Sequence, residues 1–125
     1  MKCISILLFA LLLSTGCKKE NIQKQISITG NWELSKVGGS QLSSGSGYTI
    51  TFNADNTYRM VLYPSRSILT GNYSLGSPNS SGVINLVFYP DTRPSYSNQI
   101  QLTEYSLYFI GIDYIDITSS YYIKI

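Results

Sequence analysis

Few residues in this chain could carry out covalent or acid-base chemistry, and their types exclude several familiar mechanisms. The 125 residues include no histidine, and the two cysteines, Cys3 and Cys17, both lie near the start. A Ser-His-Asp triad, a Cys-His dyad and a zinc site built from His or Cys are therefore impossible. Paired carboxylates are the only acid-base chemistry that the composition leaves open.

The carboxylates are poorly spaced for such chemistry. Asp113 and Asp116 are three residues apart, which puts them on opposite faces of a regular strand, so they could not flank one bond together. Asn53, Asp55 and Asn56 could offer oxygen ligands to calcium, but the rest of a calcium loop is missing. Asp55 is more simply interpreted as a turn residue. We therefore predict no enzymatic activity, no metal and no other cofactor.

The N-terminal residues are typical of an export signal. Lys2 is followed by a stretch of eleven residues, 3–13, that is apolar except for Ser5, and then by the small residues Ser14, Thr15 and Gly16. A membrane-spanning helix needs about 20 apolar residues, so this stretch is too short to span. Residues 13–17 (LSTGC) resemble the lipobox of bacterial lipoproteins, with Ser14 where that motif usually has leucine. The resemblance implies that residues 1–16 are removed and that Cys17 is lipidated.

The charges and the next segment complete this domain organisation. Residues 17–25 are polar and aperiodic, as in a flexible tether, and a domain is expected over 26–125. Lys18, rather than aspartate, follows the cysteine, which in lipoproteins favours the outer membrane, on its periplasmic face or at the cell surface. The nine basic and seven acidic residues are scattered along the chain. A nucleic-acid partner is therefore not expected, because such binders cluster their basic residues.

The domain itself has the pattern of an all-β protein. Apolar and polar residues alternate with a period of two, and clusters of Ser, Gly, Asn, Asp and Pro separate the runs. We predict eight short antiparallel strands, at 31–37, 48–53, 57–63, 67–75, 83–89, 98–104, 106–112 and 114–125, the last of them interrupted near 119–120. Residues 38–47 are predicted to form a long mobile loop. Eight such strands are what an up-and-down meander barrel or a sandwich needs, and one polar and one apolar face on each strand suit a closed barrel.

The apolar phase of each strand identifies the side chains that would point into the barrel. Those that could line a ligand cavity are Trp32, Tyr48, Ile50, Phe52, Tyr58, Met60, Tyr73, Phe88, Phe109 and Tyr121. Ile115, Ile117 and Ile123 are assigned to the same inward face. Glu33 and Glu104 fall on the solvent phase. Three other tyrosines, Tyr63, Tyr89 and Tyr96, lie near loop ends and could form an outer contact surface.

Several segments resemble the lipocalin and calycin barrels. Residues 30–32 (GNW) match the Gly-x-Trp signature that opens the first strand of that family, and residues 51–58 (TFNADNTY) are similar to the second hairpin of short lipocalin-like domains in bacterial lipoproteins. Residues 71–75 and 105–109 are similar to further strands of those domains. The chain lacks the helix that follows the barrel in full-length lipocalins. The resemblance implies that Trp32 closes one end of the barrel and that the protein binds a small ligand.

Two functions follow from these observations. The first is a lipid-anchored binder of a small apolar or amphipathic molecule. The alternative is a packed barrel that contacts a protein or a glycan through its loops, since eight strands enclose a space that side chains alone can fill. An interior cavity on the order of a few hundred Å³ would favour the first function, and a filled interior the second.

Overall fold

The computed structural model describes residues 26–110 and 119–125. Nine strands form one antiparallel sheet in the order β2-β1-β3-β4-β5-β6-β7-β8-β9, and pairing of β1 with β9 closes it. The strands are β1 (Gly30–Val37), β2 (Ser40–Gln41), β3 (Thr49–Phe52), β4 (Thr57–Val61), β5 (Ile68–Leu75), β6 (Ile84–Pro90), β7 (Tyr96–Leu102), β8 (Ser106–Phe109) and β9 (Ser120–Lys124). The two-residue β2 only extends the end of β1, so the barrel has eight strands.

The predicted all-β fold and up-and-down order are confirmed. The alternation that predicted the strands is visible in β3 and β5, where buried or half-buried side chains alternate with more exposed ones. Residues 53–56 form the predicted hairpin turn, in which Asn56 has φ 65° and Thr57 N–H donates to Asp55 Oδ1 over 3.1 Å. The predictions for 1–25, including lipidation of Cys17, and for Asp113, Ile115, Asp116 and Ile117 lie outside the described residues.

The two ends of the barrel differ. The base is the end of the barrel at which residue 26, the 53–56 turn, the β5–β6 loop and the β7–β8 turn lie. We call mouth the opposite end, where β1, β4, β6 and β8 finish and where residues 62–67 and 91–95 connect strands. A ligand can therefore enter only where one of these ends is left open.

The base is closed by packing and hydrogen bonds. Ile28 lies beneath the barrel, and Trp32, which is fully buried, donates from Nε1–H to the Ile28 carbonyl over 2.8 Å. Lys124 Nζ lies 5.4 Å from the centre of the Trp32 ring. Nearby, the Tyr73 hydroxyl donates to the Asn53 carbonyl over 3.0 Å. Trp32 thus lies at one closed end, as the resemblance implied.

The face prediction for the last strand is wrong. Tyr122 is buried, whereas Tyr121 is half-buried on the outside with Lys36 Nζ 5.9 Å from its ring, and Ile123 is exposed. The register explains this, because Tyr122 pairs with Leu34 on β1 and with Leu107 on β8, and cross-strand partners share a face. Both partners point inward, so Tyr122 must do so as well.

The segment predicted as a mobile loop instead folds back onto the barrel. β2 pairs with the end of β1, and Leu42 N–H donates to the Ser35 carbonyl. Gly45 N–H donates to Glu33 Oε1 over 2.8 Å. Glu33 therefore lies on the outer face of β1 as predicted but is only 8% exposed, because residues 38–47 cover it. Sequence alternation reports which face a side chain takes, not whether a loop covers that face.

Candidate ligand-binding cavity

The interior of the barrel is not filled at the mouth. A cavity of about 350 Å³, partly open to solvent, lies among the ends of β1, β4, β6 and β8 and the beginnings of β3, β7 and β9. This volume lies toward the lower end of the range of about 300 to 1,000 Å³ that is common for ligand pockets. The volume is therefore sufficient for a small ligand.

The cavity is mostly apolar, with its polar groups at the rim. Its floor consists of Leu34, Ile50 and Phe88, each at most 1% exposed. The other apolar lining side chains are Val37, Met60, Leu62, Phe109 and Tyr122. Asn98 and Ser120 supply an amide and a hydroxyl, and the exposed Tyr63 and Tyr96 stand at the edge. Such a surface suits a small apolar molecule with few polar groups.

Phe88 is the centre of an aromatic cluster that forms one wall. Its ring centre lies 4.7 Å from that of Tyr58 in an edge-on contact, and 5.2 Å and 6.4 Å from those of Tyr96 and Phe109, which are stacked on it. Phe109 in turn contacts Tyr122 edge-on at 5.4 Å. These contacts restrict the rotamers of the lining rings, so the wall is preorganised.

A second aromatic group holds the rim near the β4–β5 connection. Tyr63 packs edge-on against Tyr48 with ring centres 4.9 Å apart, and the Arg66 guanidinium lies 4.5 Å from the centre of the Tyr48 ring. Arg66 also donates to the Ser46 carbonyl over 3.2 Å. The cation–π contact and the hydrogen bond join the 38–47 loop to this connection, which positions Tyr63 beside the cavity.

The buried phenols stay protonated at physiological pH. Burial raises the pKa of Tyr58 to about 12, with smaller contributions in the same direction from Tyr96 and Asp91 and an opposing one from Arg93. Burial likewise raises the pKa of Tyr122, and partial burial raises that of Tyr96, above that of a free phenol. These groups can therefore donate hydrogen bonds near neutral pH, but they cannot serve as bases.

The predicted lining residues divide between the cavity and the packed core. Ile50, Met60, Phe88 and Phe109 line the cavity. Trp32, Tyr48, Phe52, Tyr58 and Tyr73 are buried as predicted but are not among its lining residues. Tyr121, on the outer face, is replaced in the lining by Tyr122.

Other lining residues were not predicted. They are Leu34, Val37, Leu62, Tyr63, Tyr96, Asn98, Ser120 and Tyr122. Most lie at strand ends next to the mouth connections, which is the signal that could have identified them. Leu34 and Leu62 lie on the apolar phase of their strands, and Val37 turns inward because the β1–β9 register shifts between Leu34 and Lys36.

A further depression lies at the base. It measures about 380 Å³ and is lined by Ile26, Ser27, Ile28, Asn56, Tyr73 and Leu75. Most of these residues are exposed or half-buried, and half of the lining surface is polar, so it is a surface groove. The cavity at the mouth is therefore the candidate ligand site.

The described residues contain neither a metal-binding cluster of side chains nor a membrane-spanning helix. In 26–110 and 119–125, no group of three or more His, Cys, Asp or Glu side chains is placed to hold a metal ion. Within the same residues, no helix has the length and apolar character needed to cross a bilayer.

Comparisons with protein-family models, with curated proteins and with solved structures find no match for this chain. The fold and the cavity are thus the observations from which a function has to be argued.

Proposed function

We propose that this protein is a lipid-anchored, non-enzymatic, lipocalin-like carrier that binds a small apolar or amphipathic molecule at the bacterial envelope. The observation that carries the proposal is the apolar cavity at the mouth of a closed eight-stranded barrel. Burial of apolar ligand surface against the half-buried lining side chains Val37, Leu62 and Phe109 supplies the affinity, at roughly 25 cal/mol per Å² removed from water. Asn98, Ser120 and the rim tyrosines orient the polar part of the ligand.

The resemblance to lipocalins and lipoproteins supports the cellular context of the proposal. Lipidation of Cys17 would place the protein at the outer membrane, and residues 18–25 would tether the barrel to it. Eight residues reach at most about 28 Å even when fully extended, so such a tether would keep the domain close to the lipid surface. The tether enters at the base, which leaves the mouth free to exchange ligand.

Native mass spectrometry tests the proposal with an envelope extract. The purified protein is incubated with total lipids and metabolites of a bacterial envelope, and we expect a discrete adduct whose mass identifies the ligand. Ser120→Phe, which inserts a ring into the cavity, should remove the adduct. Ser97→Phe, the same change on the exposed face of β7, should keep it.

The second candidate is a barrel that contacts a protein or glycan partner. It draws on the exposed aromatic side chains Tyr89 and Tyr105, which lie outside the cavity and are 46% and 72% exposed. A chain that stays free of adducts under every condition, but is retained by an envelope protein or a glycan array through these tyrosines, would establish this function instead.

A further inference from the structure

Tyr58 carries a buried hydroxyl with no hydrogen-bond partner. The side chain is 2% exposed, and its hydroxyl meets neither a donor nor an acceptor. Tyr73, on the neighbouring strand β5, is buried to a similar degree, but its hydroxyl donates to the Asn53 carbonyl. Buried hydroxyls are nearly always paired, because loss of hydration without compensation is costly. The Tyr58 hydroxyl is thus a buried donor without an acceptor.

The position of the Tyr58 ring follows from a glycine. Tyr58 on β4 pairs with Gly71 on β5, which pairs in turn with Pro90 on β6. A Cβ on Gly71 would overlap the Tyr89 carbonyl oxygen and lie 2.9 Å from Pro90 Cα. Gly71 therefore lets β5 and β6 approach closely and leaves no side chain between the Tyr58 ring and β6.

The Tyr58 ring lies against the aromatic wall of the cavity. It contacts Phe88 edge-on at 4.7 Å, and Phe88 and the Tyr96 ring stacked on it both line the cavity. The Tyr58 hydroxyl is within electrostatic range of Tyr96 and of Asp91 and Arg93 in the β6–β7 connection. The Tyr58 ring thus packs directly behind Phe88, one of the side chains that line the cavity.

We propose that the Tyr58 hydroxyl is the polar anchor of the site, donating a hydrogen bond to an uncharged oxygen acceptor of a ligand whose apolar part fills the cavity against Phe88. This inference rests on the proposed function. A ketone, an ester or an alcohol on an apolar skeleton has the required chemistry. A carboxylate fits less well, because it would lose its hydration in an apolar site. The phenol stays protonated, and so remains a donor, across the physiological pH range.

The test compares two probes that differ only in the acceptor. The purified protein is titrated by calorimetry with 2-acetylnaphthalene and with its hydrocarbon isostere, 2-isopropenylnaphthalene. We expect the ketone to bind about 3- to 10-fold more tightly, the range that one neutral hydrogen bond supplies. Tyr58→Phe should abolish this preference and leave hydrocarbon affinity unchanged. Tyr73→Phe, which removes a hydroxyl that is already paired at the base, should keep the preference.

A thermal melt separates binding from folding. Tyr58→Phe removes an unpaired buried hydroxyl, so its melting temperature should equal or exceed that of the parent, whereas Tyr73→Phe should melt lower. Equal affinity of the parent for the two probes, or a ketone preference that survives Tyr58→Phe, would overturn the anchor role alone. Tighter binding of 2-naphthoate than of the ketone would overturn the uncharged class. Failure of all three probes to bind would count against the proposed function itself.

Discussion

Replacement of Gly71 by alanine tests the closeness of β5 and β6, on which the closed barrel and the placement of Tyr58 both depend. The new Cβ would overlap the Tyr89 carbonyl oxygen and reach Pro90 Cα at 2.9 Å. Both atoms belong to the backbone and cannot rotate away, so the strands must separate. Overpacking of this kind typically costs about 1 to 3 kcal/mol. Separation of the strands should add about 1 kcal/mol for loss of the neighbouring hydrogen bond from Asp91 N–H to the Thr70 carbonyl.

We therefore expect Gly71→Ala to lower the free energy of unfolding by about 2 to 4 kcal/mol. The assay is urea denaturation followed by the fluorescence of Trp32, the sole tryptophan, which is buried at the base. With a urea m value of about 1 to 1.5 kcal/mol/M for a domain of this size, a loss of 3 kcal/mol moves the midpoint down by about 2 to 3 M.

Gly39→Ala is the matched control for this change. No atom lies within 4 Å of the position that its Cβ would take, so its effect on the unfolding free energy should stay within about 0.5 kcal/mol. If Gly71→Ala were no more destabilising than Gly39→Ala, the close approach of β5 and β6 would be refuted, together with the position assigned to the Tyr58 ring.

Three further predictions concern the loop, the phenols and the N-terminus. Glu33→Ala should lower the free energy of unfolding by about 1 to 2 kcal/mol and speed amide hydrogen exchange in residues 38–47. Glu33→Gln keeps an acceptor for Gly45 N–H and should have a smaller effect. Unchanged exchange in Glu33→Ala would contradict the anchoring of this loop by Glu33. Tyr58 should ionise only near pH 12 in absorbance titrations. Because the pKa of Tyr58 is raised in the folded state, its contribution to folding stability is present below about pH 10 and is lost as the pH rises toward 12. Tyr58→Phe should make this loss of stability with pH less steep. An equally steep loss in the variant would contradict the raised pKa. Cys17→Ser should move the protein out of the bacterial membrane fraction, and a parent protein without acyl mass would rule out the lipid anchor.

The positions of the strands were predictable because each barrel strand has one solvent-exposed and one buried face. In β3 and along most of β4 and β5 the apolar residues alternate, so their side-chain orientation follows from period two. In β9 the apolar residues Tyr121, Tyr122 and Ile123 are consecutive, and period two cannot choose between the phases. Pairing with Leu34 and Leu107 makes that choice, and this is information about register that the strand itself does not contain.

The cavity was harder to locate for a related reason. Alternation identifies Phe52 and Phe88 equally as inward side chains, but it does not say at which level of the barrel the interior is filled. That level depends on which side chains from opposite strands meet, and hence on the stagger of the whole sheet. Gly71 was the most useful signal left unused, because an isolated glycine within a strand often marks a close approach of another backbone.

The most direct test of the central claim is an NMR titration that locates bound apolar probe in the barrel. Isotope-labelled protein is titrated with naphthalene, and the account predicts saturable shifts at Leu34, Ile50 and Phe88 that disappear in Ser120→Phe and persist in Ser97→Phe. Shifts that never saturate, or that concentrate at the base around Ile26 and Tyr73, would contradict a ligand site at the mouth.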